Sequence, residues 1–574
     1  MRLATLLLSR LCDGLRPRRG SMAPMYAGLC ALALGCSPGQ GEQTGGSDAG
    51  TSGALDAMAP DGAARVRPAD DAATDAGAVV DDAGPEAATP APWPAIVQQQ
   101  SIRPWNGELT GDTLGLRARR PTFLWYEVEG ATHYELELDR QCSGAPKDCA
   151  FAAPTVQVTV NSAEYTPDAD LPISDSPPVG ARYYWRWRAC NDLGCDAWAE
   201  PRYVDVGRQL RDYNGDGYAD VLLGDFGYPV ALFHGGKELD AEADQAIAPP
   251  YSDSYFTLAT SIGDANGDGF SDWALRRLAV SSDNPTQLYA YQGGTAKEVE
   301  LLWKRDWRLK YTYLNVCGAA DLDANGMSDL IACEIGYFVG RVWVGMPPQE
   351  ESWPDYLSGI APAPVSGVQQ SVELATVRDI DGDGFEDIAA AVRDGGNYSL
   401  LVVASAGRPL GHENSGAHAK LRSPEPVSMV GAGDIDGDSW PDLLIERANA
   451  VDVYLHREHG LVPHVSLSLP AVSTERYFHR AAHGDLNGDG LEDVVLGSMD
   501  QVVVYPGGHE LGAGSPLAME NLRGIEVTGD VNGDGFADLL VQLADRPAWQ
   551  IFFGGVNMDD QPDLELSHPS APAN

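Results

Sequence analysis

The chain is poor in positive charge. Its 574 residues include 39 lysines and arginines against 83 aspartates and glutamates, a formal charge of -44. Phosphate binding needs a basic footprint, so this balance excludes nucleic acid and anionic lipid headgroups as partners. Cysteine is scarce too: nine residues and no CxxC pair, which argues against a thiolate metal site. No His-Glu-x-x-His and no Gly-x-Ser-x-Gly occurs, and the 11 histidines are scattered, among them His412, His418, His456, His459 and His464. The metalloprotease and serine-hydrolase signatures are therefore missing. No apolar run is long enough to span a bilayer as a mature helix; the nearest is residues 22–35. What abounds is glycine (64) and proline (39), a composition that suits a turn-rich all-β protein joined to something unstructured.

One stretch recurs: Asp-x-Asp/Asn-x-Asp/Asn-Gly-x-x-Asp. Seven copies start at Asp212, Asp264, Asp321, Asp379, Asp434, Asp485 and Asp530, in steps of 52, 57, 58, 55, 51 and 45 residues. A fixed period of this size marks a propeller or solenoid. A short apolar strand leads into each loop, a dense apolar run such as Val494-Val-Leu496 follows, and a further strand often ends in Gly-Gly, as at Gly235-Gly236, Gly293-Gly294, Gly507-Gly508 and Gly554-Gly555. Each period leaves room for a fourth, outer strand, for which 563–567 is the last candidate. Four strands per period is a propeller blade, and seven fall within the usual four to eight.

The loop chemistry asks for calcium. Side-chain oxygens at positions 1, 3, 5 and 9 and a backbone carbonyl at 7 can wrap one hard cation, and Gly at position 6 permits the sharp turn. The first two sets are Asp212, Asn214, Asp216, Tyr218, Asp220 and Asp264, Asn266, Asp268, Phe270, Asp272. The next two are Asp321, Asp323, Asn325, Met327, Asp329 and Asp379, Asp381, Asp383, Phe385, Asp387. The last three are Asp434, Asp436, Asp438, Trp440, Asp442, then Asp485, Asn487, Asp489, Leu491, Asp493, then Asp530, Asn532, Asp534, Phe536, Asp538. Position 7 is always apolar, a side chain to be wedged between blades. Ser439 replaces the position-6 Gly, and Asn325 the position-5 carboxylate. With four carboxylates, Asp379, Asp381, Asp383 and Asp387, and an intact Gly at position 6, the Asp379 loop is expected to bind tightest. An EF-hand would need flanking helices and Glu at position 12, whereas strands flank these loops.

Ahead of the repeats the chain divides in three. Residues 1–36 read as an export segment, with Arg2, Arg10, Arg16, Arg18 and Arg19 before the apolar run. Its end, Ala33-Leu34-Gly35-Cys36, resembles the lipobox of bacterial lipoproteins, which implies lipidation of Cys36 and an outer-membrane or cell-surface destination. An ordinary cleaved signal peptide, giving a secreted or periplasmic protein, is the competing reading. Residues 37–99 are an Ala/Gly/Pro/Asp-rich acidic linker that cannot bury enough surface to order itself. Residues 100–207 alternate as half-buried strands, with Tyr134, Leu136 and Leu138 on one face and Tyr183, Trp185, Trp187 and Ala189 on another. With Phe123, Trp125 and the closing Trp198…Val206 they resemble a fibronectin type III domain, an all-β sandwich. The aromatic ladder reads as core rather than as a ligand stack. Cysteine spacing favours the disulfides Cys142–Cys149, Cys190–Cys195 and Cys317–Cys333; the last pair is expected to sit directly opposite across two antiparallel strands.

Residues 208–570 resemble the FG-GAP/VCBS repeat proteins, whose best-known class is the N-terminal seven-bladed β-propeller of integrin α subunits. The calcium loops carry that resemblance. It implies up to seven structural Ca2+ ions and a binding or adhesion role toward a protein or glycan at the cell surface, with the membrane reached only through the lipid anchor. No Arg-Gly-Asp occurs and no inserted metal-dependent adhesion domain is visible, so integrin-type ligand recognition does not carry over. Blade 1 is irregular, because its lead-in merges with the end of the sandwich. The stretch 303–313 is the one basic, aromatic cluster of the repeats, read as an outer strand or as a ligand surface. Two other readings compete with a calcium-stiffened, non-catalytic binding module: a propeller-type polysaccharide lyase or hydrolase, and a structural surface spacer.

Overall fold

A computed structural model of the chain describes most residues from 101 to 567; the longest stretches left outside it in that range are 336–371, 404–416 and 470–479. The export segment, Cys36 and the acidic linker lie outside the described residues, as do Asp323, Asp381 and Asp383. The fold is all-β: among the described residues the sole helical element is a single 3-10 turn at Pro146–Asp148.

Nine strands, from β1 (Ser101–Arg103) to β9 (Arg202–Val206), build a two-sheet sandwich. Strands β1, β3 (Phe123–Trp125) and β6 (Glu164–Tyr165) form one sheet. The other runs in the order β2 (Glu108–Thr110), β9, β7 (Ala181–Asn191), β4 (His133–Asp139), β5 (Val156–Val160), and the short β8 (Gly194–Cys195) adds to β7. The period-2 pattern of β7 puts Tyr183, Trp185, Trp187 and Ala189 wholly inside, against Phe123, Trp125, Tyr134 and Leu136. Trp125 stacks on Trp187 with ring centroids 5.1 Å apart, so the aromatic ladder is core. The opposite face departs from a simple solvent face. Tyr184 is 2% exposed, covered by Cys149, Phe151 and Tyr203 of the same sandwich, and Arg182, held by Asp205 at 2.7 Å, also donates to the Gly326 carbonyl of the third loop. The Cys142–Cys149 and Cys190–Cys195 disulfides are both present.

Seven antiparallel sheets follow, each strand pairing with its sequence neighbour. The second is typical: Ser254–Gly263, Asp272–Ala279, Thr286–Gln292 and Glu300–Trp307. The fourth, fifth, sixth and seventh sheets also have four strands. The first has three, Val221–Leu223, Val230–Phe233 and Gln245–Ile247, and its lead-in residues 207–211 form no strand. The third has two among the described residues, Tyr313–Ala320 and Asp329–Ile335. Leu564–Ser567 is the outer strand of the seventh sheet. The stretch 303–313 begins on the outer strand of the second sheet, where Lys304 Nζ lies 5.2 Å from the Tyr289 ring centroid; residues 308–312 lie outside the described ones.

Consecutive sheets are joined by a repeated pair of backbone bonds. The position-1 carbonyl of one loop accepts the position-8 N–H of the next sheet: Ser271 to Asp212, Ser328 to Asp264, Glu492 to Asp434 and Ala537 to Asp485, all at 2.9–3.0 Å. The position-2 carbonyl accepts the N–H of the second Gly of the next Gly-Gly, at 2.7 Å for Gly294, Gly508 and Gly555. The same two bonds run from the seventh sheet to the first, Ala219 N–H to Asp530 and Gly236 N–H to Val531. Val221 and Phe233 of the first sheet share one apolar cluster with Leu540, Ile551 and Leu566 of the seventh. The ends of the repeat series therefore meet.

The first Gly of each Gly-Gly threads between two loops. A Cβ on Gly554 would lie 2.2 Å from the Ala537 carbonyl and 2.9 Å from that of Leu486. Gly554→Ala is thus expected to cost about 1–3 kcal/mol, read as a lower urea midpoint at unchanged slope.

Cys317 and Cys333 do not face each other as expected. Asn315 pairs with Cys333, and Cys317 falls in a bulge between Val316 and Gly318 that shifts the register by a residue. Their side chains lie outside the described residues.

Candidate metal centres

Over their described residues the seven loops share one construction, and their carboxylates have distinct duties. At position 9 the side chain is a latch. Its Oδ2 accepts the position-2 N–H in every loop, from 2.7 Å at Asp220 and Asp538 to 3.1 Å at Asp329. Its Oδ1 accepts the first Gly-Gly N–H at Asp220, Asp272, Asp493 and Asp538, and the His456 N–H at Asp442, at 2.7–2.9 Å. Asp220 Oδ2 accepts the Asn214 N–H as well, and Asp493 Oδ1 the Asn487 amide, but the other oxygen of each accepts a single hydrogen bond and remains able to ligate. At position 1, Oδ2 accepts the position-6 N–H at 2.7–3.0 Å in all seven loops.

Positions 3 and 5 fold the loop on itself. Asn214, Asn266, Asn487 and Asn532 accept the N–H of position 5 at 2.8–3.0 Å. Asp216, Asp268, Asn325, Asp438, Asp489 and Asp534 accept the N–H of position 7 at 2.8–3.0 Å. The position-7 side chain lies across position 4 of the preceding loop: a Cβ on Gly215 would meet Phe270 at 2.4 Å, and one on Gly488 would meet Phe536 at 2.5 Å. Position 4 is also left-handed, with φ of 72° at Gly215 and 76° at Gly488, which explains its glycine. Ser439 adopts φ 73° at position 6 of the Asp434 loop. The turn is kept there at the expense of strain in a non-glycine residue.

Burial pushes the loop carboxyls up: to about 7 at Asp212, Asp272 and Asp442, about 6 at Asp493, about 8 at Asp538, and well above its ordinary value at Asp220. Neighbouring loop carboxylates add to the rise, while backbone N–H donors oppose it. Glu492 shows what a fixed positive charge does. Burial alone would raise it, but Arg378, 2.6 Å away, and His483 hold it at about 2. The loops call for positive charge.

An all-oxygen donor set fits a hard divalent cation. Asp434, Asp436 and Asp442 bring one oxygen each within 4.8 Å of one another, the only loop among the described residues where three carboxylates come so close. In the Asp264 loop, Oδ1 of Asp264 is buried and accepts no hydrogen bond, an acceptor that a cation would satisfy. Two further clusters of potential ligands include Cys142, Cys149, Cys190 and Cys195, but those sulfurs are tied up in disulfides.

No family model matches the chain. It is weakly similar to integrin α chains: 25% identical over 247 residues to integrin alpha-5 of Xenopus laevis, covering 39% of this chain and 22% of that one, and 24% identical over 240 residues to human integrin alpha-IIb, covering 37% and 22%. The chain thus spans about a fifth of the length of these relatives. Among solved structures, the periplasmic gluconolactonase of Pseudomonas aeruginosa aligns over 62% of this chain and 98% of its own, at 14% identity and TM-score 0.38, values that say nothing of function.

Proposed function

We propose that residues 208–570 form a seven-bladed β-propeller stiffened by up to seven Ca2+ ions. In this reading it serves, with the fibronectin type III-like sandwich, as a non-catalytic binding or adhesion module for a surface protein or glycan. Anchoring through a lipidated Cys36, at the outer membrane or cell surface, completes it. The observation that carries the reading is the repeated loop itself: the same latch, the same turn and the same bond to the next sheet, around carboxyls that burial has left in want of positive charge. Weak similarity to integrin α chains supports the adhesion class. Among the described residues no helix is long and apolar enough to cross a membrane.

Native mass spectrometry of the chain from about residue 100 onward tests the cofactor. Five to seven calcium ions, lost on chelation, are expected; zero or one would reduce the loops to turns and withdraw the calcium. A second reading has its own observation. A groove of about 260 Å³ between the first and second sheets is lined by His234, Gln245, Asp268, Gln292 and Glu300 beside Phe270, and it is where a polysaccharide-acting site would sit. Turnover of a polysaccharide panel, rather than retention on it, would favour that enzyme.

A further inference from the structure

The loop-bearing face is already an occupied interaction surface, and its occupant is this chain's own sandwich. Four consecutive loops are met through one and the same atom, Oδ2 of their first aspartate, three of them by the sandwich and one by Arg208, just beyond its last strand. Arg208 Nη1 lies 3.7 Å from Asp264, Arg202 Nη1 3.6 Å from Asp379 and Arg103 Nη1 3.5 Å from Asp434, while the Tyr203 hydroxyl donates to Asp321 at 2.6 Å. Arg202–Asp379 is the pair most withdrawn from water, its side chains 7% and 1% exposed, while Arg208–Asp264 and Arg103–Asp434 are partly buried. The fit around them is close. Asn106 Nδ2 donates to the Gly384 carbonyl, and the Val179 N–H to that of Gly215 at 2.9 Å. The Trp105 ring lies 5.1 Å from the Arg103 guanidinium and 5.5 Å from that of Arg378, which leads into the Asp379 loop. A Cβ on Gly384 would strike the Arg202 guanidinium at 2.8 Å.

We propose that the sandwich is an electrostatic clamp on this face, and that divalent cation and the clamp arginines oppose one another at Asp264, Asp379 and Asp434. The inference rests on the calcium reading of the loops. In each of these three loops a guanidinium already offsets the first carboxylate of the donor set, and in the Asp434 loop Arg457 also pairs with Asp436 at 2.5 Å and Asp438 at 2.9 Å. A cation taken by the same carboxylate would face that guanidinium across a site shielded from solvent, where like charges repel strongly. Coupling of this kind is reciprocal: whatever factor the clamp takes from cation affinity, cation filling must take from clamp stability.

The test is a calcium chloride titration of the full chain, wild type against R103Q/R202Q/R208Q, followed by native mass spectrometry, with amide exchange recorded in wild type before and after calcium. In the triple variant the weakest-binding ions are expected to tighten on the order of tenfold. In wild type, calcium should speed exchange at Asn106, Gly107 and Tyr203 by about the same factor. The wild-type arm needs no variant to fold. Calcium binding with unchanged or slower exchange at those amides would overturn the clamp and leave the calcium loops standing. Absence of any calcium binding would overturn both.

Discussion

Stripping divalent cations is expected to lower the melting temperature of the chain by about 20 °C. One site filled at a hundred times its Kd contributes about 2.7 kcal/mol to the folded state. Four such loops contribute about 11 kcal/mol, at roughly 2 °C per kcal/mol for a domain of this size. The chelated chain should also respond to pH in the sense opposite to most acidic proteins. Asp272, Asp442 and Asp538 rise on folding to about 7, 7 and 8, against about 3.9 for an unfolded aspartate. A carboxyl raised by folding supports the fold fully below its unfolded value, and that support is lost as pH climbs through the folded one. Cation-free protein is therefore expected to melt at a higher temperature at pH 6 than at pH 8. Calcium-loaded protein should show little of this gain, since the cation favours the ionised form. A chelated chain that melts no lower, and that gains nothing from pH 8 to pH 6, would contradict both expectations.

Asp538→Ala should cost the fold more than Asp534→Ala, the position-5 substitution in the same loop, when both are compared in chelator. It strands the buried N–H of Val531 and the part-buried N–H of Gly554, bonded to Asp538 at 2.7 and 2.8 Å. Each stranded donor costs about 1–3 kcal/mol, giving about 2–6 kcal/mol in a urea titration. Asp534→Ala, at position 5, is the contrast. Its oxygen accepts the N–H of Phe536 at 3.0 Å in a half-buried turn, so in chelator its loss should be smaller by at least about 1 kcal/mol. In calcium it should remove one ion. Equal losses in chelator would mean that position 9 holds the sheets together no more than position 5 does.

Much of this architecture can be read from residue order because its determinants are local. The acidic loop, the apolar run after it and the Gly-Gly lie within about 25 residues of one another and recur, so each copy vouches for the others. The ladder of Tyr183, Trp185 and Trp187 was legible for the same reason, since a strand's faces follow from its period. Position 4 is legible too: its glycine has a reason as definite as that of position 6, namely a left-handed turn under the next sheet's position-7 side chain. The latch role of position 9 was not legible, because its partner at Gly554 lies 16 residues away and nothing in a carboxylate's identity tells an N–H acceptor from a cation ligand. Least legible was the docking of the sandwich. Arg103, Arg202 and Arg208 are ordinary surface-type residues in sequence, and they meet loops up to 331 residues distant. Cys317 misses Cys333 by two residues, one because Ala320 rather than Asp321 pairs with Asp329 and one from the bulge at Cys317.

The parallel pairing of β2 with β9 has a mechanical consequence. Glu108 lies beside Val204 and Thr110 beside Val206, the only parallel pair among the described strands, and the Gly207 N–H adds a bond to the Thr110 carbonyl at 2.9 Å. Traction between the chain's N-terminal end and its seven sheets draws β2 and β9 in opposite directions along their own axes. Their hydrogen bonds are then stressed together in shear rather than one at a time in peeling. The sandwich would absorb a tug before the first of the seven sheets, which has no lead-in strand of its own, feels any of it.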